Sequence, residues 1–190
     1  INSESVQNTT KFAISISGSD RTLKLENECD PIDYSDVDAD GHVVSPIYHE
    51  ISNDVLKKIK DNSNFLFIDP QGFLRQKDSD SNIILKKSHL DLSDVKAIKI
   101  NPEEGRNIVD GSNDEMMLAL QKKGIEYVLL TNKTDVSLLV KDRIYSLKLP
   151  NKNIHDTTGI GDIFCSTFTC TMLKEKDFLW ALCFAAGAAQ

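Results

Sequence analysis

The sequence predicts an α/β fold, a three-layer sandwich with a mostly parallel sheet between helical layers and a small β lid. Two observations carry the sandwich. Short apolar runs at 65–68, 95–100 and 126–131 stop abruptly at Asp69-Pro70, Asn101-Pro102 and after Thr131, as buried parallel strands do. Segments of helical periodicity alternate with these runs. A third observation carries the lid: the first two strands form a hairpin outside that rhythm, and appended hairpins often cover sites.

Lys11 to Ser17 reads as a strand in which Phe12, Ile14 and Ile16 alternate with Ala13 and Ser15. Gly18-Ser19-Asp20 turns the chain and Thr22 to Leu25 returns it, so residues 11–25 make the lid. The acidic run from Glu26 to Asp40 reads as a solvated loop. His42 to Ile47 is a short strand. Ser52-Asn53-Asp54 precedes a helix to about Lys60, with Val55, Leu56 and Ile59 as its apolar face. Ser81 to Lys87 is extended. Asn113 is expected to cap a helix through Lys123, which Gly124 stops. Val136 to Val140 and Ile144 to Leu149 form a hairpin around Lys141-Asp142-Arg143. Asp156 to Gly161 is a glycine-bearing turn, followed by a helix to about Lys174 and a last helix from Asp177. No repeat or linker divides the chain, so residues 1–190 read as a single domain.

The composition is that of an ordinary globular domain with a net charge of −7. Its lysines are scattered, and its arginines are only Arg21, Arg75, Arg106 and Arg143. Phosphate contacts along a nucleic acid need clustered cations, so a nucleic-acid groove is not expected. Cys29, Cys165, Cys170 and Cys183 form no C-x-x-C pair, and three of them lie in apolar surroundings. That pattern points to reduced thiols and a cytoplasmic setting. His42, His49, His89 and His155 lack metal-ligand spacing. The longest apolar stretch, Phe178 to Ala189, is too short for a membrane span. The chain opens at Ile1 without a methionine and stops at Gln190 inside an apolar helix. The expectation is a domain incomplete at both ends.

The chemistry concentrates in Asp156-Thr157-Thr158-Gly159-Ile160-Gly161-Asp162-Ile163-Phe164. Glycines allow close backbone approach, and an apolar helix starts directly after them. A helix N-terminus offers unpaired N–H groups and partial positive charge, which suits a phosphoryl group. A carboxylate there is a poor anion binder but a sensible base for an attacking hydroxyl, which is the role expected of Asp162. Asp162 as a helix-terminal cap is the alternative reading of the same residues.

This run resembles the C-terminal signature of the ribokinase (phosphofructokinase B) family, usually D-T-x-G-A-G-D-x-F, with Ile160 in place of Ala. The resemblance implies an anion hole on the backbone of Gly159, Ile160 and Gly161, with Asp162 as catalytic base. It also implies a monovalent-cation site next to the loop, involving Asp156 and Thr158. Asn101-Pro102-Glu103-Glu104 resembles the family's N-x-x-E motif, which organises magnesium and phosphate-bound water through Asn101 and Glu104. The same four residues also fit a capping box. Asp69-Pro70-Gln71-Gly72-Phe73-Leu74-Arg75 is similar to a D-P-x-x-R segment closest in character to archaeal inositol or sugar kinases. Arg75 there would hold substrate or phosphate, or sit at the surface after a turn. One segment departs from the family. Its T-x-G-x-x-G loop reads Thr131-Asn132-Lys133-Thr134-Asp135-Val136, so the nucleotide contacts expected at Thr131 and Lys133 lack both glycines.

The resemblance implies ATP- and magnesium-dependent phosphorylation of a hydroxyl on a small sugar or polyol such as inositol. The alternatives are a nucleoside kinase of the same family and a non-catalytic nucleotide-binding relative. It further implies that strands before Ile1 and residues after Gln190 complete the acceptor and adenine pockets. The exposed lid edge would permit a homodimer.

Overall fold

A computed structural model describes residues 8–17, 20–35, 37–150 and 158–190. The sandwich and the separate lid expected from the sequence are both present. The lid is a two-stranded antiparallel sheet of β1 (Lys11–Ser17) and β2 (Asp20–Asn27). The chain then enters the main sheet at β3 (His42–Val44), shorter than the strand to Ile47 expected from sequence. Helix α1 (Asn53–Asp61) is capped by Ser52, whose side chain accepts from the Val55 N–H. β4 (Leu66–Ile68) follows. Next come two elements the sequence reading missed, the one-turn helix α2 (Gln71–Leu74) and strand β5 (Arg75–Lys77). β5 pairs with β6 (Ile83–Leu85) in a second small antiparallel sheet that abuts the lid through a bridge between Lys24 and Asn82.

β7 (Ala97–Ile100), α3 (Pro102–Arg106), α4 (Asn113–Lys122) and β8 (Tyr127–Thr131) continue the alternation. The cap of α4 is Ser112 and not Asn113. Its hydroxyl accepts from the Glu115 N–H, and Glu115 reaches back to Ser112 in a capping box. β9 (Asp135–Val140) and β10 (Arg143–Lys148) form the expected hairpin. Its loop is just Lys141-Asp142, both at positive φ, which matches the twist of the strands they join. α5 (Ile160–Glu175) and α6 (Phe178–Ala188) close the chain.

The main sheet has the order β10-β9-β8-β7-β4-β3, parallel from β3 to β8 and antiparallel at β9 and β10. Its two faces bury different residues because side chains alternate along a strand. Leu66, Ile68, Ile98, Ile100, Val128 and Leu130 pack with α1 and α4. Phe67, Ala97, Tyr127 and Leu129 pack with α5 and α6. Continuing that alternation past the apolar residues puts Ser45, Asp69 and Lys99 on the α5 side at the carboxyl ends of three adjacent strands. In open α/β sheets ligands bind in the crevice outside these ends. No helix among the described residues is long and apolar enough to cross a membrane.

Candidate active site

The two glycines at the start of α5 are required for different reasons. Gly159, the helix N-cap, has φ +79, and a Cβ there would meet nothing within 4 Å. It serves by conformation, since other residues rarely adopt that backbone. Gly161 serves by space. A Cβ there would lie 3.3 Å from both Asp69 Oδ2 and Lys99 Nζ. Between them Ile160 packs its side chain against the α5-side core, which gives the bulkier residue its room. The N-cap residue Gly159 has no side chain, so it makes no cap hydrogen bond to the first amides of α5.

Beneath Gly161 lies a buried ion pair that the sequence reading missed. Lys99 Nζ is 2.5 Å from Asp69 Oδ2, with the Asp69 side chain fully buried and that of Lys99 11% exposed. Burial alone would lower the Lys99 ammonium, but the charges of Asp69 and Glu104 outweigh it and hold it well above the ordinary lysine range. The signal was present: a lysine on the buried face of an apolar strand needs a carboxylate partner.

Asn101 and Glu104 form a capping box. The Asn101 side chain accepts from the Glu103 and Glu104 N–H groups at 2.8 Å, and Glu104 Oε2 accepts from the Asn101 N–H at 2.8 Å. The capping-box reading of this motif is therefore present in the structure. Glu104 is nevertheless buried, unlike an ordinary surface cap. Burial pushes its carboxyl up; the Lys99 charge opposes that shift and the Asp69 charge adds to it. Lys99 pairs with Asp69 alone while the Glu104 charge also acts on it, and the excess negative charge fits a cation. Among the described residues no group of three or more His, Cys, Asp or Glu is arranged to hold a metal directly. A magnesium ion at this place would have to keep much of its water shell, as its reluctance to dehydrate favours.

Asp162 stands in the first turn of α5, exposed, and its Oδ1 accepts a 2.6 Å hydrogen bond from the Ser45 hydroxyl. Cys165 lies buried one turn further on. Burial raises its thiol well above the usual range, and the charges of Asp69, Lys99, Asp162 and Glu104 all act on it. The motif at 159–162 and the motif at 101–104 are therefore brought together around Lys99 and Asp69.

The remaining candidates are placed less centrally. Arg75 opens β5 at the base of the lid. Its guanidinium donates to the Ile47 carbonyl at 3.0 Å and to Gln71 Oε1 at 2.9 Å, and it lies 5.7 Å from the centre of the Phe12 ring. Its charge also acts on Glu104. Thr131 is half-buried, and its hydroxyl lies 3.5 Å from the Ile100 carbonyl. Lys133 is exposed on the tip of the next turn. That turn needs no glycine because Asn132 closes it: its Oδ1 accepts from the Thr134 and Asp135 N–H groups at 2.8 Å. Thr158 is exposed just before Gly159, while Asp156 lies outside the described residues.

No protein-family model and no curated protein matches the chain. Solved structures do. A pyrophosphate-dependent kinase in the ribokinase family, in complex with sulfate, superposes with a TM-score of 0.83 at 21% identity, over 97% of this chain and 69% of that one. A pyrophosphate-dependent kinase of that family complexed with a pyrophosphate analogue and myo-inositol gives 0.77 at 21% identity, over 89% and 64%. The ribokinase of Arabidopsis thaliana complexed with ribose and ATP gives 0.57 at 20% identity, over 77% of this chain and 48% of that one. The chain thus spans between about half and two-thirds of the length of these proteins. It has the fold of the ribokinase-family kinases.

Proposed function

We propose that the protein is a kinase that transfers a phosphoryl group to a hydroxyl of a small sugar or polyol, inositol included. The observation that carries this reading is the meeting of an uncapped, glycine-led helix N-terminus with Asp162 at the carboxyl edge of the sheet. The acceptor O–H bond breaks, and its proton passes to Asp162. The oxygen's electron pair forms the new O–P bond. The P–O bond to the donor breaks, and its pair leaves on the departing phosphate. The amides of Gly159, Ile160 and Gly161 stabilise the charge on the transferring group, a preorganised electrostatic contribution. Asn101 and Glu104 are the residues that would place a magnesium ion, which when bound would offset phosphate charge. Asp156 and Thr158 are the residues proposed for a monovalent cation, and Arg75 and Thr131 for substrate and donor contacts. The open lid edge, with Ile14 and Ile16 exposed, supports pairing of two lids in a homodimer.

The donor in this reading is ATP. A second reading, pyrophosphate, is favoured by the turn at 131–135. Asn132 fills it where glycines would let a nucleotide approach, and Lys133 adds a cation at its tip. Two of the similar structures are also of pyrophosphate-dependent kinases. The test is to offer the protein ATP or pyrophosphate with magnesium and a panel of inositols, sugars and nucleosides, and to follow phosphorylated acceptor by phosphorus NMR. A phosphorylated sugar or polyol is expected. Donor binding without transfer to any acceptor would overturn the kinase reading in favour of a non-catalytic binder, and transfer to nucleosides alone would overturn the acceptor class.

A further inference from the structure

We propose that Ser45 is a positioning residue for Asp162, an inference that rests on the kinase reading above. The Ser45 hydroxyl donates to Asp162 Oδ1 at 2.6 Å across 117 residues of chain. A carboxylate in the first turn of a helix would otherwise turn freely or fold back on the helix amides. With Oδ1 held by Ser45, the other oxygen, Oδ2, is left to receive the acceptor proton.

The frame around Ser45 is built to hold it still. Its predecessor Val44 is tied to β4, accepting from the Asp69 N–H at 2.9 Å. Its successor Pro46 is pressed by α2: a Cβ on Gly72 would lie 2.3 Å from the Pro46 carbonyl oxygen, so no larger residue fits there. The buried Glu50 carboxylate accepts from the Ile47 N–H at 2.5 Å and the Tyr48 N–H at 2.6 Å. Arg75 fixes the Ile47 carbonyl at 3.0 Å. A loop anchored on every side presents one hydroxyl, and that hydroxyl meets the proposed base. Proximity catalysis depends on this kind of fixed geometry.

The experiment compares Ser45→Ala, Ser45→Thr, Asp162→Asn and Ser45→Ala/Asp162→Asn by steady-state kinetics and thermal melting. Loss of one hydrogen bond to a charged group should lower kcat of Ser45→Ala about tenfold to a hundredfold, with KM for donor and acceptor little changed. Ser45→Thr should recover most of that loss. In the Asp162→Asn background the Ser45→Ala change should add little, because the two residues act as one unit. Near-parental kcat in Ser45→Ala overturns the proposal and leaves the base assignment standing. The same fold-loss with and without Asp162 also overturns it, as does a loss that follows a fall in melting temperature and is not recovered by Thr. Near-parental turnover in Asp162→Asn removes the base itself, and the kinase mechanism fails with it.

Discussion

Lys99 reaches across from β7 to Asp69 at the end of β4, and Gly161 of α5 rests directly over the pair. A charged pair with so little solvent around it contributes little net stability compared with an apolar pair of the same shape, but breaking it is costly. Its value here is geometric, because the same contact sets the height of the α5 N-terminus above the sheet. Lys99→Met should therefore leave the Asp69 carboxylate buried without its counter-charge, at a cost of about 3 kcal/mol or more. Asp69→Leu/Lys99→Met should cost less than the single change. Urea unfolding of the three proteins checks this, and a larger loss in the double variant would contradict it.

The pair also has a pH signature. The Lys99 pKa is raised in the folded state, so its stabilisation is complete below the ordinary lysine value of 10.5 and is lost only as pH climbs beyond it. Chemical denaturation between neutral pH and strongly alkaline pH should show that loss in the parent and not in Asp69→Leu/Lys99→Met.

Asp162 should dominate the kinetics. Asp162→Asn keeps the size of the side chain and an oxygen for Ser45, but it cannot take a proton. Turnover should fall by on the order of a thousandfold, within the range for loss of a general base. Donor affinity measured by calorimetry should hold, because the amides of the anion site are untouched. Loss of donor binding in step with turnover would show that the residue supports the loop and not the chemistry.

Glu104 separates a cap from a magnesium site. Its folded pKa is raised by burial, so the ionised carboxylate costs stability at neutral pH. That cost vanishes in acid below the ordinary glutamate value of 4.5 and grows as pH rises through the folded value. Glutamine can serve at the third position of a capping box. Glu104→Gln should thus melt no earlier than the parent while needing more magnesium for the same turnover. Early melting with unchanged magnesium dependence would reduce Glu104 to a cap.

The strands at 66–68, 97–100 and 127–131, the lid hairpin and the glycine-led helix were all legible because their signals are local: apolar runs, period-two alternation, and glycines before an apolar helix. Helix α2 was not, since Asp69-Pro70-Gln71-Gly72 reads as a turn. What makes it a helix packed on the sheet edge is the close approach of Gly72 to Pro46, a contact between distant segments. Ser45 and Lys99 were missed for a related reason. Their alternation marks them as facing α5, but their partners depend on the order β7-β4-β3, which no local pattern states. Arg75 was singled out for its fork, and the structure adds that this fork is engaged by Ile47 and Gln71.

That engagement leads to a prediction about the lid. Phe12 of β1 meets the body of the protein, packing edge-on against Tyr48 with ring centres 6.5 Å apart and under the Arg75 guanidinium at 5.7 Å. Ile14 and Ile16, further along the same strand face, stand exposed. The lid is therefore seated at the Phe12 end of β1. A cation over an aromatic face at a partly exposed site contributes about 0.5–1 kcal/mol, and the lost ring area adds to it. Phe12→Ala should speed amide exchange across β1 and β2 while the β4, β7 and β8 amides keep their protection, because the lid shares no ladder with the main sheet. Under the kinase reading it should also raise the acceptor KM more than it lowers kcat, since a loosened lid weakens binding before it disturbs Asp162. Equal loss of protection in β7 and β8 would show that the lid and sheet unfold as one unit, and the seating of Phe12 would then have no separate role.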